Sequence, residues 1–151
     1  MRRAPFLVAA LAGLAACSPG SDVPAAERGV AAFHATLDAG RYGAIYSASS
    51  EEMRRTTSAE DFTRLLEAVH GRLGRFRAGT TRSWNDSRTT SGRFVTIDYT
   101  ATYERGAADE NFVFRIDDGR AALAGYHVDS RALVEAPVQP PPEPAEPSEN
   151  R

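Results

Sequence analysis

The sequence predicts an α+β domain of three N-terminal helices packed on a curved four-stranded antiparallel sheet. Two observations carry this. Apolar residues recur at helical spacing as far as Leu73 and at alternate positions from Val95 onward. Between two of the alternating runs stands Asp118-Gly119, a two-residue hairpin signal. Helices first and a meander afterwards is an order in which the apolar sheet face closes over the helical stripes.

The first helix is expected over residues 25–39, where Val30, Phe33 and Leu37 share one face between Pro24 and Gly40. Tyr42, Ile45 and Tyr46 repeat the spacing in a second, short helix. Ser58 and Asp61 form a cap before Phe62, Leu65, Leu66, Val69 and Leu73, an apolar stripe that Gly74 ends. A weak first strand follows over 75–84, then a turn-rich loop over 85–92. Val95, Ile97, Tyr99, Ala101 and Tyr103 alternate with polar residues in the clearest strand. Phe112, Phe114 and Ile116 mark the third strand, and residues 123–128 the last.

The ends differ in composition. Residues 136–151 hold six prolines and almost no large apolar side chains, so they cannot add to a core. Extended as polyproline II they reach roughly 45 Å. They read either as a spacer or docking strip for another protein, or as a solvated terminus. At the other end, Arg2 and Arg3 precede an apolar run that closes in Leu14-Ala15-Ala16-Cys17. This is the layout of an export signal, and the run is shorter than the about 20 residues that span a bilayer. The expected organisation is a signal peptide at 1–16, a lipidated tether at 17–23, the α+β domain at 24–135 and a Pro-rich tail at 136–151.

Leu14-Ala15-Ala16-Cys17 resembles the lipobox of bacterial lipoproteins. The resemblance implies that Cys17, the only cysteine, receives a covalent lipid and becomes the first residue of a membrane-anchored protein. Several acyl chains, each buried methylene contributing about 0.8 kcal/mol, hold such a protein stably where one chain does not. By the same resemblance, Ser18 after the cysteine implies the outer membrane, facing the periplasm. With Cys17 acylated no thiol remains for a disulfide, a zinc site or a nucleophile, and no cofactor besides the lipid is expected.

Composition excludes further classes. All 18 basic residues are arginine, and the net charge is −2, so the concentrated basic face that nucleic acid requires is not expected. His34, His70 and His127 lie on separate elements without ligand spacing, which argues against a metal site. No G-x-S-x-G or phosphate-cradling glycine loop occurs. Arg72, Arg75 and Arg77 read as a cationic patch or as a solvated face.

Three segments together resemble the cone-shaped superfamily of ketosteroid isomerase and nuclear transport factor, with its cystatin-like fold. They are Leu37-Asp38-Ala39-Gly40-Arg41-Tyr42 before Ile45-Tyr46-Ser47, then residues 62–74, and Gly119 with Leu123-Ala124-Gly125-Tyr126. The resemblance covers residues 25–130 and points to an uncharacterised bacterial branch. It implies that any chemistry sits in the open end of the cone. Such domains commonly carry a Trp near the start of the last strand, where this chain has Ala121, which implies a thinner core or a roomier cavity.

The candidate ligand pocket is lined by Trp84, Tyr99, Tyr103, Phe112, Phe114, Tyr126 and His127. These suit a small apolar ligand, or they are simply the core. Isomerase-type catalysis needs a carboxylate base in an apolar cavity. Asp98 alternates with Tyr99 and faces solvent, so it does not qualify, and no catalytic residue is assigned. Whether Tyr126 or His127 points inward depends on a bulge at Gly125. His34 and His70 are read as helix-flank or partly buried imidazoles. The favoured expectation is a non-catalytic binding or interaction module; the alternative is an isomerase or hydrolase that uses the cone.

Overall fold

The computed structural model describes residues 20–134. The expected signal peptide, Cys17 and the Pro-rich C-terminal segment lie outside the described residues. The elements run α1 (Val23–Asp38), α2 (Tyr42–Ser47), α3 (Glu51–Thr56), α4 (Ala59–Leu73), β1 (Phe76–Thr89), β2 (Gly92–Tyr103), β3 (Gly106–Asp117), β4 (Arg120–Asp129) and α5 (Arg131–Val134). The four strands form one antiparallel meander in the order β1-β2-β3-β4. The α+β class and the four-stranded antiparallel sheet therefore stand.

The helical count is corrected from three to five. α3 buries only Met53 and α5 buries nothing, so neither carries a stripe that periodicity could detect. Three local signals are found as the sequence predicts. Ser58 caps α4 by accepting from the Asp61 amide at 3.1 Å, and Gly74 follows its last turn. Asp118 (φ 50°) and Gly119 (φ 72°) make the β3–β4 turn, the left-handed pair that a type I′ hairpin demands.

β1 corrects the loop expected over 85–92. Asn85, Asp86 and Ser87 pair with Thr96, Val95 and Phe94, so the ladder overrides the turn preference of their side chains. The last tether residues also change character. Gly20, Ser21 and Asp22 pack against β1 and β2, and the helix starts at Val23.

Alternation sets the faces. On β2, Val95, Ile97, Ala101 and Tyr103 point to the helices; on β3, Ala108, Glu110, Phe112, Phe114 and Ile116 do the same. α1 and α4 cover them with Val30, Phe33, Leu37, Phe62, Leu66, Val69 and Leu73. On the opposite sheet face Thr100 is hydrogen-bonded to Asp109 and Asn111 to Asp98, beside Phe94 with Arg115 over its ring. β4 carries a bulge between its pairs at Val113 and Phe114, which leaves Ala124 unpaired beside Gly125. After it Tyr126 faces inward against Phe33 and Phe112, and His127 is exposed beside Asn111 on the outer face.

Candidate functional site

Among the described residues the most deeply buried carboxylate is Glu110, 2 % exposed. It arrives there by strand phase, two residues before Phe112. Three donors converge on it. Tyr103 and Tyr126 donate their hydroxyls to Oε1, both at 2.7 Å, and His34 Nε2 lies 2.9 Å from Oε2. An ionised carboxylate only accepts, so the imidazole hydrogen belongs on Nε2. His34 Nδ1 is buried with no hydrogen-bond partner, as suits a bare acceptor better than a donor. Burial first, and then the charge on Glu110, hold the Tyr103 and Tyr126 hydroxyls well above the ordinary tyrosine value. Both stay protonated and keep donating.

Aromatic rings seal this cluster. Phe76 stacks on His34 at 3.9 Å between centroids. Phe33 packs edge-on against His34 and Phe112, and Phe112 stacks on Phe114. Of the expected pocket residues, Tyr103, Phe112 and Phe114 are thus core. Tyr99 and Tyr126 are half-buried at its margin. Trp84 and His127 stay outside the cluster: Trp84 lies on the helix-side face of the edge strand but 50 % exposed, and His127 on the outer face. The set does not line a single pocket.

His34 is also corrected. It is fully buried in the α1 stripe rather than on its flank, whereas His70 is half-buried and bonded to the Tyr42 hydroxyl at 2.8 Å. Asp98 is exposed as expected, its carboxyl held below the usual value by hydrogen bonds from Ser83 and then Asn111. The arginine patch dissolves into local structure: Arg72 donates to the Leu133 carbonyl and Arg77 to Glu104. Arg105, not singled out from the sequence, donates to the carbonyls of His70, Gly71 and Arg72 and so caps α4.

A cleft of about 220 Å³ on the outer sheet face has Glu110 in its lining beside Asp98, Asn111 and His127, and two more open on the helix side of the sheet. One, of about 490 Å³, lies between α1 and the β1–β2 edge, with His34, Phe76 and Tyr99 in its wall. The other, of about 300 Å³, runs between α1 and α2, floored by Phe114 and Leu123 and walled by Gly29, Ala32, Ala48 and Ala121. Among the described residues no group of His, Cys, Asp and Glu is placed to hold a metal, and no helix is long and apolar enough to cross a membrane.

The sequence model of DUF4019, a family described as proteins of unknown function, matches residues 30–126, more than half of the chain. This chain belongs to the DUF4019 family. No curated protein matches it. The DUF4019 segment runs from the middle of α1 to Tyr126, so His34, Tyr103, Glu110 and Tyr126 all fall inside it.

Proposed function

We propose that this DUF4019 protein is a lipid-anchored cell-envelope lipoprotein, carried by Cys17 and facing the periplasm, whose domain binds its partner or ligand without transforming it. The element order further supports placing the domain beside the ketosteroid isomerase and nuclear transport factor superfamily. The observation that carries the non-catalytic reading is the sealed state of Glu110. A general base must reach its substrate proton, but Glu110 is 2 % exposed and both of its oxygens are already engaged by side-chain donors. Binding then belongs to the surface, and the apolar groove between α1 and α2 is the best-formed place for it. A small apolar ligand, or an apolar side chain of another envelope protein, matches its alanine and glycine walls. Assembly through the sheet finds less support, because much of that face is taken up by the hydrogen-bonded side chains of Asp98, Thr100, Asp109 and Asn111.

The test has two arms. Intact-mass measurement of the native protein should find a lipid adduct on Cys17, and Cys17→Ser should move the chain from the membrane to the soluble fraction. An apolar fluorescent dye should bind the purified domain, and Ala32→Phe, at an exposed wall position, should abolish that binding without changing the circular dichroism. An unmodified thiol removes the anchor reading; equal dye binding by both proteins removes the groove.

A further inference from the structure

The point where the chain enters the domain is built as a clamp. The Gly20 amide donates to Asp86 Oδ2 at 3.1 Å, Arg88 donates to Ser21 Oγ at 3.1 Å, and Arg93 lies 3.3 Å from the Asp22 carboxylate. The Trp84 ring lies over Gly20, so close that a Cβ there would sit 3.0 Å from the indole. Trp84, Asp86, Arg88 and Arg93 share the helix-side face of the β1–β2 hairpin beyond the core, and α1 begins directly after Asp22. No slack separates the entry point from the rigid domain.

Only Ser18 and Pro19 stand between Cys17 and Gly20. Three peptide links of about 3.8 Å each put the lipid-bearing residue within roughly 11 Å of the clamp. The headgroup layer on each side of the hydrocarbon is about 5–8 Å deep, so a lipid on Cys17 holds the hairpin against that layer. An indole there gains on both counts, as an apolar ring with an N–H that stays wet. Trp84 is the one large aromatic left half exposed among the described residues, and two arginines flank it.

We propose that the Trp84 edge of the β1–β2 hairpin, with Arg88 and Arg93, is a membrane-seating face that lies in the phospholipid headgroup layer and fixes how the domain stands on the bilayer. This rests on the lipid-anchor reading above. The seat leaves the opposite end of the hairpin and the α4–α5 corner pointing away from the membrane.

Trp84 is the only tryptophan in the chain, so its emission reports this site alone. The native acylated protein is reconstituted into vesicles of phosphatidylethanolamine and phosphatidylglycerol, with or without brominated acyl chains. Flotation and intact mass are measured on the same samples. The seat predicts emission blue-shifted from that of the Cys17→Ser chain in buffer, quenched about twofold by brominated lipid and shielded from iodide, as for an interfacial indole. Protein that is acylated and floats, yet keeps the soluble chain's emission and ignores bromine, overturns the seat while the anchor stands. Protein with no lipid on Cys17 overturns both. A second readout is hydrogen exchange of residues 84–93, which should slow on vesicles and lose that protection in acylated Trp84→Ala; unchanged exchange counts against the seat.

Discussion

Replacing Glu110 by leucine should cost far more than its area suggests. Leucine is apolar and of comparable size, but the change strands the Tyr103 and Tyr126 hydroxyls and His34 Nε2 without their acceptor. A hydrogen bond to a charged partner is worth about 1.5–3 kcal/mol, and a buried donor left without its acceptor costs about 1–3 kcal/mol. The three donors share one acceptor, so their losses do not simply add, and the expected penalty, above that of one stranded donor and below that of three, is about 3–5 kcal/mol. For a domain of this size that lowers Tm by roughly 12–20 °C. The fourfold variant Glu110→Leu, Tyr103→Phe, Tyr126→Phe, His34→Leu removes donors and acceptor together and should recover most of the loss, since a fully apolar replacement of a buried polar group is often neutral or better. The assay is urea unfolding at pH 7 followed by far-ultraviolet circular dichroism. A single-variant loss under about 1 kcal/mol, below the worth of one charged hydrogen bond, refutes the reasoning. So does a fourfold variant no more stable than the single one.

The same cluster sets the alkaline limit. The Tyr103 and Tyr126 hydroxyls are raised in the fold, so the unfolded chain loses these protons first. Their contribution is full below pH 10 and declines above it, at about 1.4 kcal/mol per pH unit for each tyrosine; melts from pH 8 to 12 should show this slope, and Tyr103→Phe with Tyr126→Phe should flatten it. On the acid side Asp98, held low by Ser83 and Asn111, Asp61, held low by Ser58, and Glu104, held low by the Arg75 amide, all have depressed values. Their contribution is present above the ordinary carboxylate range and is lost as pH falls through it, so Asp98→Asn should reduce the fall in Tm between pH 5 and 3. Gly74→Ala should destabilise by about 2 kcal/mol, because φ 79° with ψ −159° is a region left to glycine; the new Cβ would also lie 2.7 Å from Glu104 Oε2. Thermal unfolding checks it.

The elements with a long apolar period were legible: α1 and α4 by their stripes, β2 and β3 by alternation, the last turn by Asp118-Gly119. α3 and α5 were not, because six and four residues with one buried side chain between them make no pattern. The length of β1 was hidden because Asn85, Asp86 and Ser87 prefer turns locally and are held extended only by partners on β2. The cluster was half written in the chain. His34 falls at i+4 in the stripe of Val30, Phe33 and Leu37, and Glu110 falls in phase with Phe112, Phe114 and Ile116. Their polarity argued for the surface. What binds them is mutual satisfaction across 76 residues of sequence, which no local window contains. Trp84 failed in the other sense: its phase was right, but the edge strand outruns the helical layer that would have covered it.

A carboxylate at the centre of so small a core is costly to desolvate and has an apolar solution available, so its use here is better sought in uniqueness than in stability. A one-residue slip of β3 against its neighbours would turn Glu110 outward and bring Asp109 and Asn111 in. Tyr103 on β2, Tyr126 on β4 and His34 on α1 would all lose their acceptor at once. One side chain thus ties three other elements to a single register, and one of its donors, Tyr126, stands two residues beyond the unpaired Ala124 of the β4 bulge. We predict that the fourfold apolar variant keeps most of its stability yet exchanges amide hydrogens faster across residues 106–129, and shows more than one set of amide resonances there. A variant with one set of resonances and the exchange pattern of the parent would show that packing alone fixes the register, and that Glu110 is held for something other than order.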